Sequence, residues 1–253
     1  KEQIRYYGYL SEDALLSCLK QNHKMADKFT KEAKAKPSEK QSTKKNEVFF
    51  VNYPAKQSYC RMFIVGDKYN ESERAVAAMY NEYFGGSMNS IVFQEMREKR
   101  SLAYQAMSRY ITGSDKNDRN YNLAHIATQN DKVIEAFDAF NSLLDSMPLA
   151  QANFDLAKQS LLSSMRTQRI SKQNIISSFL NDRRFERANN SLQQLYTSLQ
   201  GINLEQIQQF IKEKFQKRGR VYVILGSKEQ IDMKALKKFG KVKELTLEDI
   251  FGY

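Results

Sequence analysis

Residues 81–110 read NEYFGGSMNSIVFQEMREKRSLAYQAMSRY, and this stretch decides the fold. Phe84-Gly85-Gly86 closes one helix, with Gly85 suited to the left-handed residue past a helix end, and a second helix opens near Asn89 or Ser90. That helix ends in the basic run Arg97-Glu98-Lys99-Arg100, and Leu102-Ala103-Tyr104 then enters a strand. The chemistry lies in Arg97 and Tyr104, seven residues apart across a helix-to-strand junction. One is a permanent cation with a planar donor fork, the other a hydroxyl donor. Such a pair can grip peptide carbonyls without being a nucleophile or a metal site. A Gly-Gly-Ser loop before a helix can also hold phosphate. Here no GxxxxGK[ST] follows and no GxGxxG precedes, so the glycines read as a cap.

Upstream, Glu47 to Tyr53 and Gln57 to Val65 are strands by their Val, Ile and Phe content. Pro54-Ala55-Lys56 turns one into the other, which predicts a hairpin. Glu71 to Phe84 repeats Val76, Met79, Tyr80 and Tyr83 at helical spacing. Downstream, Leu102 to Thr112 and Tyr121 to Gln129 are strands joined by the turn-rich GSDKNDRN. Asp131 to Met147 is an amphipathic helix carrying Val133, Ile134, Phe137, Phe140, Leu144 and Met147 on one side. Helices follow over Phe154 to Arg169, Lys172 to Ala188 and Leu192 to Gln200, and Gly201 breaks the last. Asn203 caps another, with Gln206 in the capping-box position. Arg220 to Leu225 (RVYVIL) is the clearest buried strand, and KEQIDMKALKKFG a short helix ended by Gly240. The apolar tail EDIFGY is expected to pack. Hairpin-grouped strands followed by gathered helices predict an α+β fold, an antiparallel β-sheet covered by helices.

At the other end Ser11 caps a helix with Glu12 and Asp13 in its first turn, and helix formers continue to about Lys36 before Pro37-Ser38. The division expected is a helical arm and polar linker over 1–45 and a single α+β domain over 46–253. The chain opens at Lys1 rather than on methionine, and is expected to be a fragment or processed product. Where the protein resides is left open.

At 253 residues, 41% hydrophobic and 11% aromatic, the chain is long enough for one full core and is not of disordered composition. Its apolar runs are too short to span a membrane. Much of the formal charge of +11 falls between Lys20 and Lys45, with no interleaved aromatics and no nucleic-acid module. A solvated basic arm is preferred there to a polyanion site. Cys18 and Cys60 form no CxxC and read as free, partly buried thiols. The only histidines are His23, in the arm, and His125, read as a hydrogen-bonded strand residue. They compose no H-x-x-E-H or H-E-x-x-H, and no G-x-S-x-G is present, so the chain reads as lacking its own catalytic machinery.

The run YFGGSMNSIVFQEMREKRSLAY resembles the glycine-loop segment of the pitrilysin family, inverted-zincin peptidases that include insulin-degrading enzyme, mitochondrial processing peptidase and bacterial relatives. Phe93, Glu95, Arg97, Lys99, Leu102, Ala103 and Tyr104 fit its Phe-x-Glu-x-Arg-x-Lys then Leu-Gly/Ala-Tyr pattern, with Ala103 where many members have glycine. Gln57-Ser58 is similar to the opening strand of the family's non-zinc half, and the strand ending LGS and KKFGKVKEL follow its closing pattern. The resemblance covers roughly Glu47 to Leu245. It implies the mitochondrial processing peptidase-like metallohydrolase fold and a non-catalytic C-terminal-half domain. Such a half closes a chamber and binds an oligopeptide substrate, Arg97 and Tyr104 projecting toward it. Zinc is expected in the partner, a zinc-bearing N-terminal half on the same polypeptide or a separate subunit, and no cofactor in this chain. The alternatives are a structural or assembly subunit of the same fold and a polyanion-binding module using the basic arm.

Overall fold

The structure, a computed structural model, describes residues 3–24, 40, 42–187, 190–216 and 218–252. In chain order it contains α1 (Glu12–Asn22), β1 (Glu47–Asn52), β2 (Gln57–Lys68), α2 (Arg74–Tyr80), α3 (Ile91–Phe93), β3 (Gln105–Ile111) and β4 (Arg119–Gln129). Then come α4 (Val133–Asp145), α5 (Gln151–Thr167), α6 (Ile175–Arg184), α7 (Ser191–Gly201), α8 (Leu204–Lys214), β5 (Val221–Gly226), β6 (Lys241–Glu244) and α9 (Leu247–Phe251). Both α2 and α3 run on without a break into π-helical turns, Asn81–Gly86 and Gln94–Lys99.

The chain forms two units, Lys1–Glu39 with Arg169–Asn189, and Lys40–Gln168 with Asn190–Tyr253. In the first, Ser11 caps α1 by accepting from the Ala14 N–H, as its position implies. The helix ends at Asn22, where His23 is already extended, and the rest of the expected helix, beyond Lys24 to about Lys36, falls outside the described residues. Residues 25–39, most of the basic run, lie outside the described residues.

In the second unit all six strands form one sheet in the order β3-β4-β2-β5-β1-β6. The run β3-β4-β2-β5 is antiparallel, and β1 and β6 join parallel to β5 and β1 respectively. The fold is α+β as expected, but the β1–β2 hairpin is not formed, because β5 lies between the two strands. VYVILG buries Tyr222 and Ile224 almost completely and so takes a central place with a neighbour on each side. The short link between β1 and β2 has only to cross two strand spacings, roughly 10 Å.

One face of the sheet is packed. Along β2, Ser58, Cys60, Met62 and Ile64 are buried, while Tyr59 and Arg61 on the alternate positions are exposed. The helices cover the buried face with Tyr80, Phe84, Phe137, Phe140, Phe210 and Phe215, side chains whose burial stabilises by roughly 1.5–3 kcal/mol each. Tyr80 stacks on Phe84 at 5.1 Å. Its hydroxyl meets Ser108 Oγ and Asn122 Oδ1, each at 3.0 Å, so these three buried polar groups satisfy one another. Burial pushes the Tyr80 phenol well above its ordinary value.

Gly85 is not the left-handed cap expected: it is buried inside the π-helical turn. A Cβ there would stand 2.2 Å from the Ser108 carbonyl oxygen and 2.6 Å from its nitrogen, both on the backbone of β3. Its lack of a side chain lets helix and strand touch, a close-approach role. The tail also departs from expectation. It forms α9 under a Thr246–Asp249 capping box, and Leu247, Ile250 and Phe251 are exposed. The other capping box, Asn203 with Gln206, is present as read.

Candidate functional site

Ser90 opens α3 by accepting from the Phe93 N–H. The π-helical turn that follows is closed by Ser101, a non-glycine residue at φ 50°. Ser101 N–H donates to the Arg97 carbonyl at 3.1 Å and Leu102 N–H to that of Met96 at 2.9 Å, which ends the helix and reverses the chain. Leu102 and Ala103 are buried. Thr128 Oγ1 donates to the Leu102 carbonyl, and Tyr104 N–H to that of Ala127 at 2.8 Å, so the end of β4 fixes the backbone of Tyr104.

These constraints bring Arg97 and Tyr104 together. The guanidinium carbon of Arg97 stands 5.4 Å from the Tyr104 ring centroid and 5.0 Å from that of Phe93, within cation–π range of both. Glu95 takes Lys99 at 2.6 Å and lies 3.9 Å from Arg100. Arg97 has a single loose carboxylate neighbour, Glu98, at 3.7 Å, and both are well exposed. Tyr104 is 64% exposed. Among the described residues its hydroxyl has no hydrogen-bond partner. The two side chains line one cleft of about 460 Å³, with Ser101, Gln57, Gln129 and Lys132 also on its walls. Sequence reading gave these last three no place in a site, Gln57 serving only to mark the opening strand, and the β2–β4 register sets Gln57 opposite Gln129 here.

β3 is a terminal strand of the sheet, yet its outer edge is partly occupied. The Asn81 amide donates to the Tyr110 carbonyl at 2.9 Å and accepts from its N–H at 2.7 Å, pairing with the strand as a neighbouring backbone would.

Neither histidine forms a site. The Nδ1 atom of His125 is buried without a partner, so the expected hydrogen bond is absent there. Burial, and secondarily the charge of Arg61 opposite it, lower its pKa. Among the described residues no group of three or more His, Cys, Asp or Glu could hold a metal ion. Nor is any helix of the described residues long and apolar enough to cross a membrane. Cys18 and Cys60 are free. Cys18 is exposed rather than partly buried, whereas burial pushes the Cys60 thiol up to about 12.

The described fold is thus a helix-covered α+β sheet in which a cation and a phenol meet at a helix-to-strand junction. The family model described as the peptidase M16 inactive domain matches residues 5–161, and the chain belongs to that family. Solved structures with a similar fold include a peptidase M16 inactive domain from Pseudomonas fluorescens, 20% identical at a TM-score of 0.62 over 77% of this chain and 46% of that one. The periplasmic protease PqqL from Escherichia coli is 15% identical at 0.61, over 87% of this chain and 25% of that one. Pitrilysin is 13% identical at 0.54, over 80% and 22%. This chain therefore spans less than half the length of each. No curated protein sequence matches it at the significance required.

Proposed function

We propose that this domain is the substrate-holding wall of a zinc-dependent endopeptidase whose metal site lies in a partner half. The observation that carries the reading is the convergence of Arg97 and Tyr104 on one cleft, with the phenol exposed and its hydroxyl unengaged. Peptide hydrolysis places negative charge on the scissile carbonyl oxygen. A hydroxyl held rigidly at that oxygen stabilises the charge without reorganising, and loss of one such donor costs on the order of 10²-fold in rate. The bond from Tyr104 N–H to the Ala127 carbonyl, which anchors its backbone, supports this role for Tyr104. Arg97 stacks on the ring, limits its rotation, and keeps its guanidinium donors for a neighbouring substrate carbonyl. Zinc and the hydrolytic base belong to the partner, and this domain's residues bind and position the peptide. Asn81 already pairs with the outer edge of β3, which leaves backbone alignment by strand addition to the partner's sheet.

Mixing the purified chain with a zinc-bearing half of the family and following cleavage of a quenched peptide tests the reading. Cleavage should depend on the added chain and saturate with it. A zinc-bearing half equally active alone would contradict the proposal and favour a structural subunit.

A further inference from the structure

The open face of the sheet carries two arginines without an ion-pair partner among the described residues. Arg61 on β2 lies opposite His125 on β4, which lies opposite Met107 on β3. Arg109 is two residues further along β3, opposite Leu123, whose other neighbour is Phe63. Both arginines are exposed, and neither makes an ion pair or hydrogen bond among the described residues. The surrounding positions on this face are apolar: Tyr59, Phe63, Val223, Leu225, Phe49 and Val51. Tyr59 is 49% and Met107 45% exposed. The open-face positions of β2 to β5 hold no carboxylate, and Glu47, at the far end of β1, is the nearest one in the register. The unpartnered buried Nδ1 of His125 adds one unmet polar atom beside Arg61.

The two cations buried among the described residues, Lys214 and Arg220, are matched to carboxylates, and half-buried Arg218 is too. Lys214 contacts Glu73 at 2.6 Å and Arg218 contacts Asp67 at 2.6 Å, while Arg220 reaches Asp145 at 2.5 Å. Two unmatched guanidiniums on an apolar strand face are thus a local charge excess. An extended peptide laid over that face meets it with its own side chains.

We propose that this face selects peptides bearing Asp or Glu among apolar residues, the carboxylates pairing with Arg61 and Arg109. The inference rests on the reading of the chain as a substrate wall and names the substrate class of that wall. Strand geometry, ~3.3 Å per residue and ~4.8 Å between strands, sets the Cα atoms of Arg61 and Arg109 about 12 Å apart. By the same geometry they lie about 14 Å and 17 Å from Tyr104, or about four to five residues of an extended peptide. The acidic positions therefore fall about that far from the bond held at Tyr104. Exposed pairs of this kind are screened by salt over a Debye length of about 8–10 Å, so the preference weakens as ionic strength rises.

The test compares kcat/KM of the two-half enzyme for a quenched peptide with glutamates four and six residues from the cleaved bond, both on the side facing the sheet, and for its Glu→Gln twin. The wild type should prefer the acidic peptide by roughly tenfold at low salt, a size consistent with two exposed charge pairs. Arg61→Gln with Arg109→Gln should bring the ratio close to one, chiefly through KM for the acidic peptide. Binding of the same two peptides to this chain alone, followed by fluorescence anisotropy, should show the same ratio. Equal handling of the two peptides by a wild type that still depends on Tyr104 overturns this inference alone. A preference that survives in the double variant overturns it too. Absence of any peptide binding or chain-dependent cleavage overturns the substrate-wall reading along with it.

Discussion

Replacing Gly85 with alanine puts the packing argument to a direct test. The added Cβ would lie 2.2 Å from the carbonyl oxygen, 2.6 Å from the nitrogen and 2.7 Å from the Cα of Ser108. All three are backbone atoms, so no rotamer change relieves the clash. Reaching ordinary contact at 3.4 Å or more requires helix and strand to part by about 1 Å. That separation loosens Tyr80 and Phe84, both fully buried on the same helix, and stretches the Tyr80–Ser108 contact now at 3.0 Å. Overpacking of a close core site costs about 1–3 kcal/mol, and a weakened buried hydrogen bond adds about 1 kcal/mol. A total of about 2–4 kcal/mol moves the urea midpoint down by roughly 1–2 M at an m-value near 2 kcal/mol/M. The chain has no tryptophan and 14 tyrosines, so far-UV circular dichroism with tyrosine fluorescence is the assay. A midpoint for Gly85→Ala within about 0.2 M of wild type would refute the close-approach account.

Three further outcomes are expected. Ser101, held at φ 50°, should accept glycine with little change or a gain of up to about 1 kcal/mol. Ser101→Val should lose about 1–2 kcal/mol in the same urea assay. Asp118 is subject to burial, which raises its carboxyl pKa, but bonds from Lys40 and from the Ser114 and Arg119 N–H groups outweigh that and hold it far below the usual range. Its folded pKa being depressed, the stability it contributes is present above the ordinary aspartate value near 4 and is lost as pH falls through the folded value. Acid titration of Asp118→Asn should therefore show less loss of stability below about pH 4 than wild type. A thiol reagent under native conditions should label Cys18, which is exposed. Cys60, buried with its thiol pushed up to about 12, should react only on unfolding.

What the sequence disclosed was local. The Ser11 cap and the Asn203–Gln206 box depend on residues three apart, and both form as read. The Arg97–Tyr104 spacing crosses a single junction, and the two side chains meet. What it hid depends on distant partners. The place of β5 between β1 and β2 follows from a strand more than 150 residues downstream, so two adjacent strands with a turn between them read as a hairpin. β6, KVKE, is short and has one apolar core-side residue, and becomes a strand only by pairing with β1. Gly85 reads as a cap in the sequence because its contact, Ser108, lies on another element. Ile250 and Phe251, in the tail expected to pack, are exposed on α9, an exposure that no local pattern reports. The open-face arginines were likewise invisible until register set Arg61 and Arg109 on one side of the sheet.

The most direct measurement is steady-state kinetics of the two-half enzyme carrying Tyr104→Phe, which removes the exposed hydroxyl and keeps the ring against Arg97. The expected result is a fall in kcat on the order of 10²-fold with KM little changed, the signature of a donor acting in the transition state. A Tyr104→Phe enzyme with kcat within about twofold of wild type would contradict the role given to that hydroxyl.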